Sequence, residues 1–455
     1  MKRLGIAGIA LVAVFLTMAD GSWASSSIYV CVPTTAGAAV TSGGTAGFCK
    51  ERNTKVALPS ESAEQHKLLS ILPYLKFAAS GVGGKPTIQI SGANLQIVSG
   101  SGKTNGPVNG AGNLVIGYDE EADCKEVEGC DPSTPPPPQT GSHNLVLGTG
   151  QSYTSFGAIL GGLANTASGP YSFVIGERDT ASGHHASVSG GSHNTSSADA
   201  ASVSGGYGNT AKAGAFAGGS GVGPSVSGGS DNTAENFGAS VSGGRGNFAF
   251  ANDSVSGGIS NTAQFEFTSV SGGARNTATN FWSSVSGGEG NYATSPGGSV
   301  SGGAKNVANG ESLGGYNPGP SWVGGGRNNT AQGSWSSVSG GFSNKAVSPG
   351  ASVSGGEENV AGGGVHGGPG ACCYPGTGPK GPSVSGGYKN AANGSFSSIL
   401  GGRENLVSEA KEFSTETTGF WAAVSGGFKN DAKGAYSSIF GGKELTAPNE
   451  YEAIP

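Results

Sequence analysis

Charge is scarce in this chain. Asp, Glu, Lys and Arg make up 12% of 455 residues, and 24 basic against 30 acidic side chains leave a formal net charge of -6. A balance this thin gives no basic footprint for nucleic acid and argues for solubility, not for a charged partner. Long apolar runs are missing too. Leu4 to Met18 is apolar but short for a membrane span, and no later stretch of roughly 18 apolar residues exists, so no membrane span is expected. Histidine is rare, with six in the chain. His184, His185 and His193 read as surface residues, and no histidine recurs with the repeated serines as a nucleophile's base would. The glycine-rich Gly81 to Pro86 imitates a phosphate loop but puts Pro86 where Ser or Thr would hold magnesium. Polysaccharide lyases on β-helices need larger turns with clustered acidic and basic groups. Neither an enzyme nor a cofactor is expected.

Glycine is abundant, at 87 residues, but does not fall at every third position, so collagen is excluded and a chain of turns and close backbone approaches is favoured. Met1, Lys2 and Arg3, the apolar run and Ser22-Trp23-Ala24 read as a secretory signal peptide over residues 1–24, which places the mature chain outside the cell or at its surface. The six cysteines suit that oxidising compartment. Cys31 with Cys49, and Cys124 with Cys130, are the expected disulfides. The adjacent Cys372 and Cys373 bridge each other only with strain, or pair between chains. A zinc site with His366 lacks a second ligand pair.

The organising feature is S-V-S-G-G-x-x-N, whose valine recurs every 15 residues at Val255, Val270, Val285 and Val300. So short a period marks a solenoid or β-roll of stacked turns. The apolar anchor extends through Ile159, Val174, Val188, Val203, Val226, Val241, Val323, Val338, Val353, Val384, Ile399, Val424 and Ile439. Longer intervals after Val203, Val300, Val353 and Ile399 read as loops inserted into single turns. Anchor and following Ala form the expected inward column, with the two glycines at a bend. The Asn column, such as Asn261, Asn276 and Asn291, suits a left-handed turn and could also hydrogen-bond along the axis.

Two further columns bear on function. The residue after the anchor is Ser in mid-array but Leu160, Ile175, Leu400 and Phe440 near the ends, which predicts a sheet buried on both faces there and so packed against copies of itself. Three residues before the anchor stand Phe156, Tyr171, Phe267, Trp282, Trp335, Phe396, Trp421 and Tyr436. In a continuous strand their odd offset puts them opposite the valine, either covering seams between turns or subunits or gripping carbohydrate or protein.

Before the array, Ile28 to Val30 and Thr41 to Gly44 predict a small strand pair. Ser62 with Gln65 and the spacing of Leu68, Leu72 and Leu75 predict a helix ended by Pro73 or Gly81, either a short neck or a helix packed on its own chain. Thr87 to Ser91 with Asn94 to Val98 predicts a hairpin. Asp119 to Asp123 reads as a solvated acidic loop in preference to a calcium site, followed by a polyproline segment over Pro135 to Pro138.

Phe173-Val174-Ile175-Gly176 with Thr180-Ala181-Ser182-Gly183 resembles the head repeats of YadA-like trimeric autotransporter adhesins. The resemblance covers roughly Asn113 to Ala447. It implies a left-handed parallel β-roll, three chains packed together, and adhesion. Stalk and membrane barrel do not follow before Pro455, so an anchored autotransporter is not expected. The sequence thus predicts an all-β fold: a signal peptide (1–24), an N-terminal strand, helix and hairpin region (25–112), a β-roll array (113–447) and a tail (448–455). The expected protein is a secreted, non-catalytic homotrimer with a surface protein or glycan as ligand. The alternative is a monomeric solenoid holding glycan or ice along its serine or aromatic face.

Overall fold

The computed structural model describes residues 29–33, 41–44, 53–57, 70–121, 138–214, 223–311, 319–362, 381–408 and 419–455. The expected signal peptide, five of the six cysteines and Pro135 to Pro137 of the polyproline segment lie outside these residues, and of Cys31 only the backbone is described. Two compact units result, Met1–Gln96 and Ile97–Pro455.

In the first unit, Tyr29–Pro33 lies between Thr41–Gly44 and Asn53–Ala57 in a three-stranded antiparallel sheet, which extends the expected strand pair. Most of the expected helix lies outside the described residues; Ser70 and Ile71 are helical and the helix goes no further, so Leu75 is not part of it. Leu72–Tyr74 is a single 3-10 turn, and Leu75–Ala78 is a strand paired antiparallel with Thr87–Ile90. Pro73 carries no N–H for a continuing helix, and Gly83 and Gly84, at φ 59° and 73°, supply the left-handed turn that reverses the chain. Thr87–Ile90 therefore takes Leu75–Ala78 as its hairpin partner, not Asn94 to Val98, which forms no strand.

The second unit is a parallel β-solenoid of about 18 turns of roughly 15 residues, as the period predicts. Each turn gives two short strands, for example Ser254–Val255 and Thr262–Ala263, and each pairs in register with its counterpart in the next turn, Ser269–Val270 and Thr277–Ala278. One ladder runs from Leu114–Ile116 to Ala453–Ile454, the other from Ser152–Tyr153 to Thr446–Ala447. Among the described residues no pairing joins the first strand of either ladder to its last. The stretch read as a tail thus supplies a further turn, because Ile454 repeats the anchor offset of Ile439.

The four insertions leave the register untouched: Val203 pairs with Val226, Val300 with Val323, Val353 with Val384 and Ile399 with Val424. The anchors from Val188 to Val424 are buried at 0–1% exposure, as is the alanine column. Each buried valine stabilises by about 1.5–3 kcal/mol, a gain that accumulates turn by turn. One anchor is corrected. Val174 pairs with Leu160, which is fully buried, while Ile159 faces out, because only one of two adjacent strand residues can point inward. The second glycine of the motif sets the bend. Gly258 stands at φ 88°, and a Cβ there would collide with the Gly273 carbonyl of the next turn.

Candidate functional site

The asparagines do not occupy the left-handed position. That falls to the residue before each, Ser260, Arg275 or Lys305, at φ 54–56°. The amides point inward and form a ladder. Asn276 Nδ2 donates to Gly272 O (2.8 Å) in its own turn and to Gly288 O (2.9 Å) in the next, while Oδ1 accepts the Asn291 N–H (3.0 Å). The same three bonds recur at Asn291 and Asn306. The ladder satisfies groups that the glycine bends would otherwise leave unpaired in the core, and its role is structural.

Asp179 interrupts the ladder. Its Oδ1 accepts from Asn194 N (2.7 Å) and Nδ2 (3.1 Å), but Oδ2, standing where the other turns have a donor, is buried without a partner. Burial pushes this carboxyl from 3.8 up to about 6, opposed in part by the Asn194 hydrogen bonds and the nearby His193. The folded array therefore holds the proton more tightly than the unfolded chain. Stability from this group is full below about pH 4 and falls as pH rises toward 6, by about 3 kcal/mol in all. Asp179→Asn restores the missing donor. It is expected to raise the unfolding midpoint at pH 7 and to do so much less at pH 4; equal gains at both pH values in thermal melts would contradict this assignment.

The aromatic residues stand at a corner, not on the face opposite the valine. Trp282, Trp335, Phe396, Trp421 and Tyr436 all adopt left-handed backbone, at φ 54–57°, so the chain bends before the strand and the odd-offset argument does not apply. Their rings lie along the seam. Phe267 stacks on Trp282 (6.4 Å, 7°), Phe396 on Trp421 (4.4 Å, 13°) and Tyr436 on Tyr451 (4.9 Å, 9°), and Trp335 lies over Gly319 of the preceding turn. Rings stacked face to face present mainly their rims to solvent, which suits them to cover turns and not to serve as flat platforms. His185 and Tyr451 belong to the same stripe.

The opposite corner holds features that one-dimensional reading missed. Lys389 pairs with Glu358 (3.3 Å) and Lys429 with Glu404 (3.7 Å), giving a column of alternating charge. Beside it the Arg403 guanidinium lies between the Tyr388 and Phe428 rings, 5.3 and 5.5 Å from their centres. Insertions separate all of these partners except Tyr388 and Arg403 in sequence, and the register brings them together. Exposed to solvent and screened by it, such pairs add little to stability.

His184 and His185 are exposed, with their Nδ1 atoms 2.8 Å apart, and His185 stacks on Tyr171. No group of three or more His, Cys, Asp or Glu side chains converges among the described residues. Asp119, in the acidic loop, accepts the Tyr153 hydroxyl (2.9 Å); burial first, then this bond, pushes the Tyr153 hydroxyl up to about 12.

Between the two corners lies the outer face of the first sheet. The residues flanking each anchor point outward. From Ser187 and Ser189 to Ser299 and Ser301 both are serine in every turn, so two hydroxyl columns run free of charge. Leu160 excepted, the apolar residues expected to be buried here are exposed in the single chain. Leu400 and Phe440 are exposed toward one end, and toward the other Leu114 (42%), Ile116 (61%), Ile159 (39%) and Ile175 (37%) form an outward patch over the first four turns, with Leu145, Leu147 and Phe173 among them. Among the described residues of the solenoid unit, nothing covers this outer face. Compared with known proteins, the chain matches no family model and no curated relative.

Proposed function

We propose that the chain is a secreted, non-catalytic β-roll surface protein with a structural or adhesive role, in line with the adhesin-head repeats it resembles, and that it works as a homotrimer. One observation carries the assembly: the apolar patch of Leu114, Ile116, Ile159 and Ile175 on a solenoid whose own core is already closed. Exposed apolar patches of several hundred Å² mark association sites. The hydroxyl columns have little apolar area to bury, so these N-terminal turns, not the serine-lined middle, hold the subunits. A long ladder of paired backbone with a buried amide column suits a stiff spacer that presents a surface.

Ile116→Asp combined with Ile175→Asp is expected to give a folded single chain by sedimentation velocity. Ser271→Asp combined with Ser286→Asp is expected to leave the assembly in place. Assembly that survives the first pair, or is lost with the second, overturns the placement of the interface. The second reading, a monomeric solenoid holding glycan or ice, is favoured by the unbroken, charge-free hydroxyl columns between Ser187 and Ser301.

A further inference from the structure

One turn of the serine face is built differently. Trp322 stands where Ser299 and Ser337 stand in the turns on either side, and Gly324 replaces the second outward serine. The two changes fit each other. A Cβ at residue 324 would lie 2.9 Å from indole atoms Cζ2 and Cη2 and against the Ser339 carbonyl, so the glycine leaves the space that the ring enters. Across the sheet the indole Nε1–H donates to Ser301 Oγ (3.2 Å). The ring is therefore fixed at both ends of its long edge, yet 40% of the residue remains exposed.

This ring differs from the corner aromatics in its company. Phe267 with Trp282, Phe396 with Trp421 and Tyr436 with Tyr451 spend ring faces on one another. Trp322 has no aromatic neighbour among the ring contacts of the described residues. It leans on a glycine, among the hydroxyls of Ser299, Ser301, Ser337 and Ser339, with no charged side chain in either outward column from Ser187 to Ser354. A fixed apolar ring surrounded by groups that both donate and accept hydrogen bonds matches one ligand chemistry closely. A pyranose has a C–H face that packs on an aromatic ring and an equatorial rim of hydroxyls that bond sideways.

We propose that Trp322, seated on Gly324 and flanked by Ser299, Ser301, Ser337 and Ser339, is a binding subsite for a neutral pyranose of an extended polysaccharide. The serine columns continue in both directions and offer the adjoining sugars hydroxyl partners about every 4.8 Å along the axis. This deepens the adhesive reading by naming the class of ligand. It does not depend on the trimer, because Trp322 lies nine strand spacings, about 40 Å, beyond Phe173 and the apolar patch.

The test is binding of cellohexaose and chitohexaose to the full chain by saturation-transfer NMR and calorimetry, with hyaluronan hexamer as the acidic comparison. The parent is expected to bind a neutral hexamer, Trp322→Ala to weaken it at least about tenfold, and Trp322→Phe to keep part of the affinity. Trp282→Ala, Trp335→Ala and Trp421→Ala are expected to bind as the parent does. Thermal melts and sedimentation establish that each variant keeps its fold and assembly. The proposal is overturned if neither neutral hexamer binds, if only the acidic one does, or if Trp322→Ala binds like the parent. The Ile116 and Ile175 variants test assembly separately, so failure of one reading leaves the other standing.

Discussion

Val270→Asp is expected to destabilise the array by more than about 4 kcal/mol and to abolish cooperative melting of the turns around it. Val270 is buried at 1% exposure, paired in register with Val255 before it and Val285 after it, so a carboxylate there meets aliphatic side chains above and below. Burying an unpaired charge is among the few single changes that reach this size. Asp179 shows why position decides the outcome. In the amide column a carboxylate at least finds the Asn194 N–H and amide donors, whereas the valine column offers none. Hydrogen exchange of residues 254–300 measures the effect, and protection equal to that of the parent would contradict this account of the core.

Asn276→Ala is the second large effect, at about 3–5 kcal/mol. The buried amide makes three hydrogen bonds, to Gly272 O, to Gly288 O and from Asn291 N–H. Gly288 O keeps the Ala274 N–H, at 2.9 Å. The buried Asn291 N–H and the half-buried Gly272 carbonyl lose a partner, each costing about 1–3 kcal/mol with the carbonyl toward the low end, and the removed amide leaves a void. The outward Ser271→Ala on the same turn is expected to change stability by no more than about 0.5 kcal/mol. Urea titrations of the two variants give the comparison. A loss below about 1 kcal/mol for Asn276→Ala would mean that the ladder adds little to the fold.

The sequence made the solenoid legible because its period is enforced by physics. A one-residue slip in any turn would carry Val270 or Val285 out of the core, so the valines and the insertions around them keep register and can be read by subtraction. What stayed hidden depends on backbone conformation or on contacts between turns. Ile159 and Leu160 are both apolar, and only pairing with Val174 shows which faces in. Trp282 and Trp421 sit at left-handed corners, where alternation along a strand no longer tells the face. The Glu358, Lys389, Glu404 and Lys429 column is interrupted in sequence by inserted segments and becomes continuous only when the turns stack. Leu72 and Leu75 continue a helical spacing, but Pro73 ends the helix at Ile71 and the paired glycines turn Leu75–Ala78 into a hairpin. Trp322 and Gly324 look like two separate departures from the repeat, and their meaning lies in the fit between them.

On the proposed reading, the solenoid is one third of an assembly joined at its N-terminal turns. Light scattering behind a sizing column, applied to the chain from Ser25 onward, tests it most directly. The account predicts a mass three times that of a single chain. A single-chain mass at micromolar concentration would contradict it and leave Leu114, Ile116, Ile159 and Ile175 exposed without a partner copy.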